Sequence, residues 1–228
     1  MKVWKFLESG PIPGTQDTLG LYQRDDEFEI RIDTRQLMNT RLHGSEDALA
    51  DLAFDALGDV TGVRSLVGGL GMGFTLAAAV RRTDNAGMVC VAELVPSVVE
   101  WNRRYVGGAA GFPLDDPRTS IFGGDVTQMI RSPKRPWHAI LLDVDNGPSS
   151  LTRATNNWLY THQGLDAIYD ALEPNGVLGV WSANPDRAFT RRFERAGFAV
   201  KQIEVRARGK RGGRRHTVWI GQRKDRRR

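Results

Sequence analysis

Residues 66–74 read LVGGLGMGF, an apolar run that enters a glycine-dense turn and continues into an Ala-rich helical pattern. Gly69, Gly71 and Gly73 would let the backbone approach a ligand closely, and the amino end of the following helix could face that ligand. Spaced glycines alone are a weak signal, because they also permit tight packing between a strand and a helix. Their position directly after a buried strand favours a cofactor-binding turn.

The segments around this turn alternate between strand and helix patterns. Strands are predicted at 63–69, 88–94, 119–122, 138–142 and 176–181, and helices at 71–82, 96–105, 157–172 and 185–196. Such repeats imply parallel strands with right-handed crossovers. Two further strand patterns, 198–207 and 216–221, flank a short Gly-rich basic loop that suits a hairpin. The prediction is an α/β, Rossmann-like fold with a mostly parallel sheet that ends in an antiparallel hairpin, which resembles the class I methyltransferase fold.

The N-terminal region has a different pattern. Residues 27–37, EFEIRIDTRQL, alternate apolar and polar side chains as a half-buried strand does, and residues 1–7 do so more weakly. Residues 45–58 predict a helix with Ser45 as a candidate N-cap. We therefore expect three parts, namely an N-terminal β element over residues 1–44, a Rossmann-like domain over 45–221, and a basic tail over 222–228.

The composition is that of an ordinary globular protein, with 40% hydrophobic and 26% charged residues among 228. The single cysteine, Cys90, excludes an internal disulfide and lies in an apolar run, which favours a buried thiol over a nucleophile. No stretch approaches about 18 uninterrupted apolar residues, and the N-terminus lacks the pattern of a secretory signal. We expect a cytoplasmic protein that does not bind to a membrane.

The net charge of +5 is unevenly placed. Residues 201–228 carry twelve Lys or Arg and two Asp or Glu, a net +10, whereas residues 1–200 carry twenty and twenty-five, a net −5. Contact with nucleic acid through the basic C-terminus is left open, as is a homodimer, although short basic termini are most often solvated. The four histidines are too scattered for a metal site, and we expect none.

Two acidic residues follow the predicted second and third strands. Glu93 ends the second strand about 20 residues beyond the glycines, where a carboxylate can accept hydrogen bonds from both hydroxyls of a ribose. Asp125 ends the third strand, where it could meet an adenine amino group or cap the helix pattern that follows. The Glu93 spacing suits NAD as well, but the terminal hairpin and Asp125 argue for a ligand of the S-adenosylmethionine type.

A third acidic cluster follows the predicted fourth strand in AILLDVDNGP, residues 139–148. Ligands of open α/β sheets bind outside the carboxyl ends of the strands, so Asp143 belongs near the active site. Its carboxylate could hold or deprotonate an attacking amine, and Asp145 is the rival for that role. The alternative is that both side chains cap a turn.

With these motifs, residues 27–181 resemble the spermidine synthase family of polyamine aminopropyltransferases. The resemblance rests on MNTRLHGSEDALADLA, GGLGMG, VAELVP, FGGDV and LLDVDNGP, with SSLTRATNNWLYTHQGL in place of the family's mobile gate. It implies that Glu93 binds ribose, that Asp125 lies near adenine and that Asp143 engages the attacking amine. It also implies a donor that is S-adenosylmethionine or its decarboxylated form, with a small-molecule amine as acceptor.

Two departures from the family pattern affect its polyamine site. Gly71 stands where the family has an acid that helps to hold the donor's amine, and Asn146 stands at the second acid of the catalytic loop. These two changes affect the expected diamine specificity more than the expected binding of a nucleoside donor. Three functions therefore stay open, namely aminopropyl transfer, methyl transfer from S-adenosylmethionine to another acceptor, and non-catalytic nucleoside binding.

Overall fold

A computed structural model describes residues 3–144, 148, 157–209 and 212–224. Within this part, a small antiparallel sheet precedes the main domain, and its strands pair in chain order. They are β1 (Lys5–Pro11), β2 (Thr18–Arg24), β3 (Glu27–Ile32) and β4 (Arg35–Asn39). The backbone of β1 packs on α3 (Pro96–Trp101), since a side chain at Gly10 would overlap Ser97. The N-terminal sheet is thereby joined to the main domain.

The main domain is a seven-stranded sheet with helices on both faces. Its other elements are α1 (Gly44–Leu57), β5 (Arg64–Gly68), α2 (Phe74–Arg82), β6 (Met88–Glu93), β7 (Thr119–Gly123), α4 (Val126–Arg131), β8 (Trp137–Leu142), α5 (His162–Ala171), β9 (Leu172–Ser182), α6 (Arg187–Arg195), β10 (Phe198–Arg206) and β11 (Arg215–Arg223). The strand order is β10-β11-β9-β8-β5-β6-β7. β11 runs antiparallel to both β9 and β10, and the other described strand pairs of this sheet are parallel, which confirms the predicted mostly parallel sheet with a terminal hairpin.

Two apolar layers hold the sheet between its helices. Val67 packs in the layer that includes α1 and α2, whereas its neighbour Leu66 packs in the layer that includes α4, α5 and α6. Both side chains are fully buried, and burial of one such side chain contributes about 1.5–3 kcal/mol. Cys90 is buried in the second layer, as its apolar run predicts. The continuous apolar sequence of the parallel strands follows from this two-sided burial.

The N-terminal pattern was only partly predictive. The single strand expected over residues 27–37 is two strands, because the chain turns between Ile32 and Arg35, with Asp33 at a φ of +52°. The alternation of apolar and polar side chains does not reveal a turn of only two residues. The short polar side chain of Asp33 tolerates the positive φ of this turn. The strand β2 was not predicted, and the first strand begins at Lys5.

Several element ends also differ from the prediction. The helix expected over 96–105 changes at Asn102 into one π-helical turn, Asn102–Val106. The helix expected over 157–172 is a short 3₁₀ turn, Trp158–Tyr160, followed by α5. Two strands are longer than predicted: β9 begins at Leu172, and β11 continues to Arg223, whose guanidinium donates to the Leu172 carbonyl.

Candidate active site

The carboxyl ends of four neighbouring strands, β8, β5, β6 and β7, meet at one edge of the sheet. Backbone hydrogen bonds of 2.9 Å join Asp143 to Gly68, Gly69 to Ala92, and Gly124 to the Glu93 carbonyl. β5 lies in the middle of the sheet: β6, the next strand in the chain, pairs with one edge of β5, and β8, which comes later in the chain, pairs with its other edge. This edge is therefore the switch point of the strand order, where open α/β sheets bind ligands.

The glycine-rich turn packs closely against the backbone of Asp143, the residue that follows β8. Gly69 has a φ of +88°, and a Cβ atom there would lie 2.5 Å from the carbonyl oxygen of Asp143, so no side chain fits. Asn102 fixes the turn from the other side, because its Nδ2 donates to the Gly71 carbonyl at 2.8 Å. Sequence patterns did not single out Asn102, which the π-helical turn places here. Single π turns often occur at functional sites.

Glu93 connects the glycine-rich turn to the end of β6. Its Oε2 accepts the Leu70 N–H at 2.9 Å and its Oε1 accepts the Val95 N–H at 2.8 Å, and the residue is 8% exposed. Glu93 thus has a structural role that the sequence did not reveal. Its assignment to a ribose remains a prediction.

Asp125 lies at the same edge and caps α4. Its Oδ1 accepts the Thr127 N–H at 2.8 Å, which is the capping interaction that the sequence left open. Gly124 donates to the Glu93 carbonyl, so the ends of β6 and β7 are adjacent. The proposed contact of Asp125 with adenine remains a prediction.

Asp143 follows β8 directly, and its carboxylate points toward the start of α2. Thr75 Oγ1, in the first turn of that helix, donates to Asp143 Oδ2 at 2.6 Å. Burial raises the pKa of Asp143 to about 6, and the Thr75 hydrogen bond opposes that rise. A carboxyl with such a pKa is ionised at neutral pH and can still take a proton from a substrate.

Glu46, in the first turn of α1, lies near Asp143, because the Thr75 hydroxyl that donates to Asp143 Oδ2 is also 3.5 Å from the Glu46 carbonyl oxygen. We call the carboxyl groups of Glu46 and Asp143 the carboxyl pair. Burial and the negative charge of Asp143 raise the pKa of Glu46 to about 8, whereas a hydrogen bond from Ser45 opposes the rise. Two interacting carboxyls titrate as a unit, and burial together with mutual repulsion favours one proton shared by the pair over two negative charges. Sequence patterns assigned Glu46 no role beyond the acidic start of a helix. Only the packing of α1 against β8 identifies it.

Ser45 is not the N-cap that the sequence predicted. The helix begins at Gly44 with His43 at the N-cap position, and Ser45 is fully buried inside the first turn. The Ser45 hydroxyl lies 2.6 Å from Glu46 Oε2 and 2.8 Å from Nδ1 of His216 on β11. These contacts replace a capping bond and connect the carboxyl pair to the terminal hairpin.

Asp145 and Asn146 lie outside the described residues, as do residues 149–156 of the segment compared with the family's gate, residues 149–165. Among the described residues, no group of three or more His, Cys, Asp or Glu side chains could hold a metal ion. Over the same residues, no helix is both long and apolar enough to cross a membrane.

A groove of about 530 Å³ lies at the opposite edge of the sheet, where β6 and β7 begin. The Arg118 guanidinium, which lines this groove, donates to both carboxylate oxygens of Asp116 and to the Thr83 carbonyl. These groups satisfy one another and leave the arginine with an internal structural role. The chemistry-bearing side chains lie instead at the carboxyl edge.

The strand order, the glycine-rich turn and the acidic strand ends define a Rossmann-like fold of the class I methyltransferase type. No protein-family model and no curated protein matches the sequence. Solved structures do share the fold. A spermidine synthase in complex with the transition-state analogue AdoDATO matches with a TM-score of 0.74 at 18% identity, over 95% of this chain and 72% of that chain.

Two further spermidine synthase structures agree with that match. The enzyme from Thermotoga maritima gives a TM-score of 0.74 at 17% identity, with the same coverage of 95% and 72%. A probable spermidine synthase from Corynebacterium glutamicum ATCC 13032 gives 0.62 at 16% identity, over 97% of this chain and 81% of that chain. The chain therefore has the fold of spermidine synthases, as its motifs predicted.

Proposed function

We propose that this protein is a spermidine synthase-like transferase that moves an aminopropyl group from decarboxylated S-adenosylmethionine to an amine. The observation that carries the proposal is the Asp143 carboxylate, which lies beside the glycine-rich turn, accepts a hydrogen bond from Thr75 at 2.6 Å and has Glu46 as its neighbour. The fold supports it, since a spermidine synthase of this fold holds AdoDATO. The donor would lie across the turn, with Glu93 at its ribose and Asp125 toward its adenine.

The carboxyl pair suits an amine acceptor for two reasons. A protonated amine is attracted by the negative charge that the pair carries at neutral pH. It must then lose a proton to become a nucleophile, and Asp143, whose pKa is raised to about 6, can accept that proton. Asp145, which neighbours this site in sequence, remains the alternative acceptor of the proton.

In the proposed reaction, the amine nitrogen attacks the methylene carbon bonded to the sulfonium. A carbon–nitrogen bond forms, the carbon–sulfur bond breaks, and its electron pair neutralises the sulfur. The products are the aminopropylated amine, methylthioadenosine and one proton, which goes to the carboxyl pair. Alignment of the two reactants would supply much of the rate enhancement.

A specific observation supports methyl transfer as the second candidate. Gly71 has no side chain to hold the donor's amine, and a Cβ atom there would lie 3.2 Å from the sulfur of Met38 on β4. A thioether therefore lies at the position where the family would direct an acid. Without that acid, the carboxylate of S-adenosylmethionine would meet no repulsion at this point.

Calorimetry with three ligands would test donor choice. Under the first proposal, decarboxylated S-adenosylmethionine binds more tightly than S-adenosylmethionine, and methylthioadenosine also binds. The opposite preference would support methyl transfer. Catalytic silence with every amine tried, despite nucleoside binding, would support a non-catalytic binding protein.

Product analysis would test the reaction itself. Mass spectrometry of reactions with a panel of diamines should detect methylthioadenosine and aminopropylated amine in equal amounts. Formation of S-adenosylhomocysteine from S-adenosylmethionine would identify methyl transfer instead. Reactions with an Asp143→Asn variant serve as the control for uncatalysed decay of the donor.

A further inference from the structure

Ser45 occupies an unusual position between two titratable groups. Its hydroxyl is 2.6 Å from Glu46 Oε2 and 2.8 Å from His216 Nδ1, and the residue is fully buried. A hydroxyl can donate one hydrogen bond while it accepts another, so this geometry forms a continuous chain from the carboxyl to the imidazole. The two ends come from residues 46 and 216, and only folding brings them together.

The terminal hairpin is what holds His216 in this position. The Gly44 N–H donates to the Ala207 carbonyl at 2.8 Å, which fastens the hairpin to the start of α1. His216 pairs with Val205 in the hairpin ladder, and the Trp181 ring packs edge-on against its imidazole at 4.8 Å. Ser45 is fully buried, whereas Glu46, Asp143 and His216 are all partly exposed, and the His216 imidazole is less deeply enclosed by protein than the two carboxyl groups. The chain of hydrogen bonds thus leads from the more enclosed carboxyl groups toward solvent.

We propose that Glu46 is a second acid–base group of this site and that Ser45 and His216 form a proton relay that connects it to solvent. The proposal rests on the proposed function, because that reaction releases one proton at the carboxyl pair. While Glu46 is ionised, the Ser45 hydroxyl donates to its Oε2. Once Glu46 is protonated, its own O–H would donate to the Ser45 oxygen, and Ser45 would turn to pass its proton to His216 Nδ1. The imidazole would then release a proton to water from its other nitrogen.

The charged groups around the relay favour this direction. Burial and the nearby Arg214 lower the pKa of His216, which keeps the imidazole neutral and able to accept a proton at neutral pH. Burial, and after it the negative charge of Asp143 at the end of β8, raise the pKa of Glu46 to about 8 and so favour its protonated form. On α1 itself, Asp47 adds negative charge, but His43 and Arg81 contact its carboxylate at 2.6 and 3.1 Å.

A first experiment needs no turnover. Nitrogen-15 NMR of the histidine rings, with carbon-13 NMR of the carboxyl groups, would establish where the protons lie in the parent protein at pH 7. The relay predicts a protonated Glu46 and a neutral His216 that carries its proton on Nε2, so that Nδ1 accepts from Ser45. An ionised Glu46 together with a proton on Nδ1 would reverse the donor order and overturn the proposal.

A second experiment uses single-turnover rates once a donor and an amine have been found. His216→Ala should lower the rate by about tenfold or more while donor affinity stays unchanged, and added imidazole should restore most of the loss. Ser45→Ala should lower it similarly without rescue by imidazole, and Ser45→Thr, which keeps the hydroxyl, should retain activity. The control is Glu46→Gln. Added imidazole cannot rescue this variant, because the substitution breaks the chain of hydrogen bonds at Glu46, before the proton reaches position 216.

The two proposals can fail separately. Absence of turnover in the parent with either donor would contradict the proposed function, and the NMR result would then decide for or against the relay. If the parent is active, a parent-like rate for His216→Ala, or a loss that imidazole does not restore in the folded variant, would overturn the relay and leave the transfer reaction intact.

Discussion

The hydroxyl of Thr75 donates to Oδ2 of Asp143 at 2.6 Å, which links the first turn of α2 to the end of β8. This bond favours the ionised carboxylate and so holds the pKa of Asp143 below the value that burial alone would give. Thr75→Val keeps the side-chain shape but removes the donor. The pKa of Asp143 should therefore rise.

We expect the acid limb of the pH–rate profile, near pH 6 in the parent, to move to higher pH in Thr75→Val. Thr75→Ser keeps the hydroxyl and should leave the limb in place. Identical acid limbs in the parent and in Thr75→Val would show that Asp143 does not control the profile.

Glu46 should make the stability of the fold depend on pH. The pKa of Glu46 rises from 4.5 to about 8 on folding, so between these values the folded protein holds a proton that the unfolded chain releases. Stability therefore falls as pH rises through this window. Glu46→Gln removes this titration. The melting temperature of the variant, relative to that of the parent, should therefore increase as pH rises from about 5 to 8. If the melting temperatures of variant and parent changed with pH in the same way, the raised pKa of Glu46 would be contradicted. The matched control is Asp59→Asn, which removes an exposed carboxyl.

The sequence could predict the parts of the site that lie on one strand or turn. Glycine spacing and a buried strand located the turn, and Asp143 and Glu93 were found because parallel strands end at a common edge. Ser45 and His216 could not be found in this way, because their roles depend on contacts across 171 positions of the chain. The same limit applies to Asn102, which reaches the glycine-rich turn through a π-helical turn that side-chain periodicity does not encode.

Glu93→Ala should lower both donor affinity and stability. The variant leaves the N–H groups of Leu70 and Val95 without their carboxylate partner, which costs about 1–3 kcal/mol per buried group. Loss of the ribose contacts should weaken nucleoside binding by roughly 2–3 kcal/mol. Thermal melts and calorimetry separate the two effects. A destabilised variant with parental affinity would remove Glu93 from the ribose site.

Gly71→Asp combined with Met38→Ala should shift donor preference toward the decarboxylated form. The new carboxylate would attract the aminopropyl amine and repel the carboxylate of S-adenosylmethionine, while the second change clears the Met38 sulfur that lies 3.2 Å from the new Cβ. The φ of +51° at Gly71 is one that aspartate tolerates better than most residues. We expect the ratio of the two dissociation constants to change by about tenfold, or about 1.4 kcal/mol. Met38→Ala alone is the control, and an unchanged ratio would place the donor's tail elsewhere.

The most direct test of the transfer reaction is the single-turnover rate of Asp143→Asn, measured beside its donor affinity and beside an Asp145→Asn variant. Asparagine keeps the shape of the side chain and cannot accept the amine's proton. We predict parental donor affinity and a rate lowered by about 100-fold or more, whereas Asp145→Asn should react faster than Asp143→Asn. Asp143→Asn turning over at the parent rate with every accepted amine would contradict the role of Asp143, and parental rates in both variants would contradict carboxylate-assisted transfer at this site.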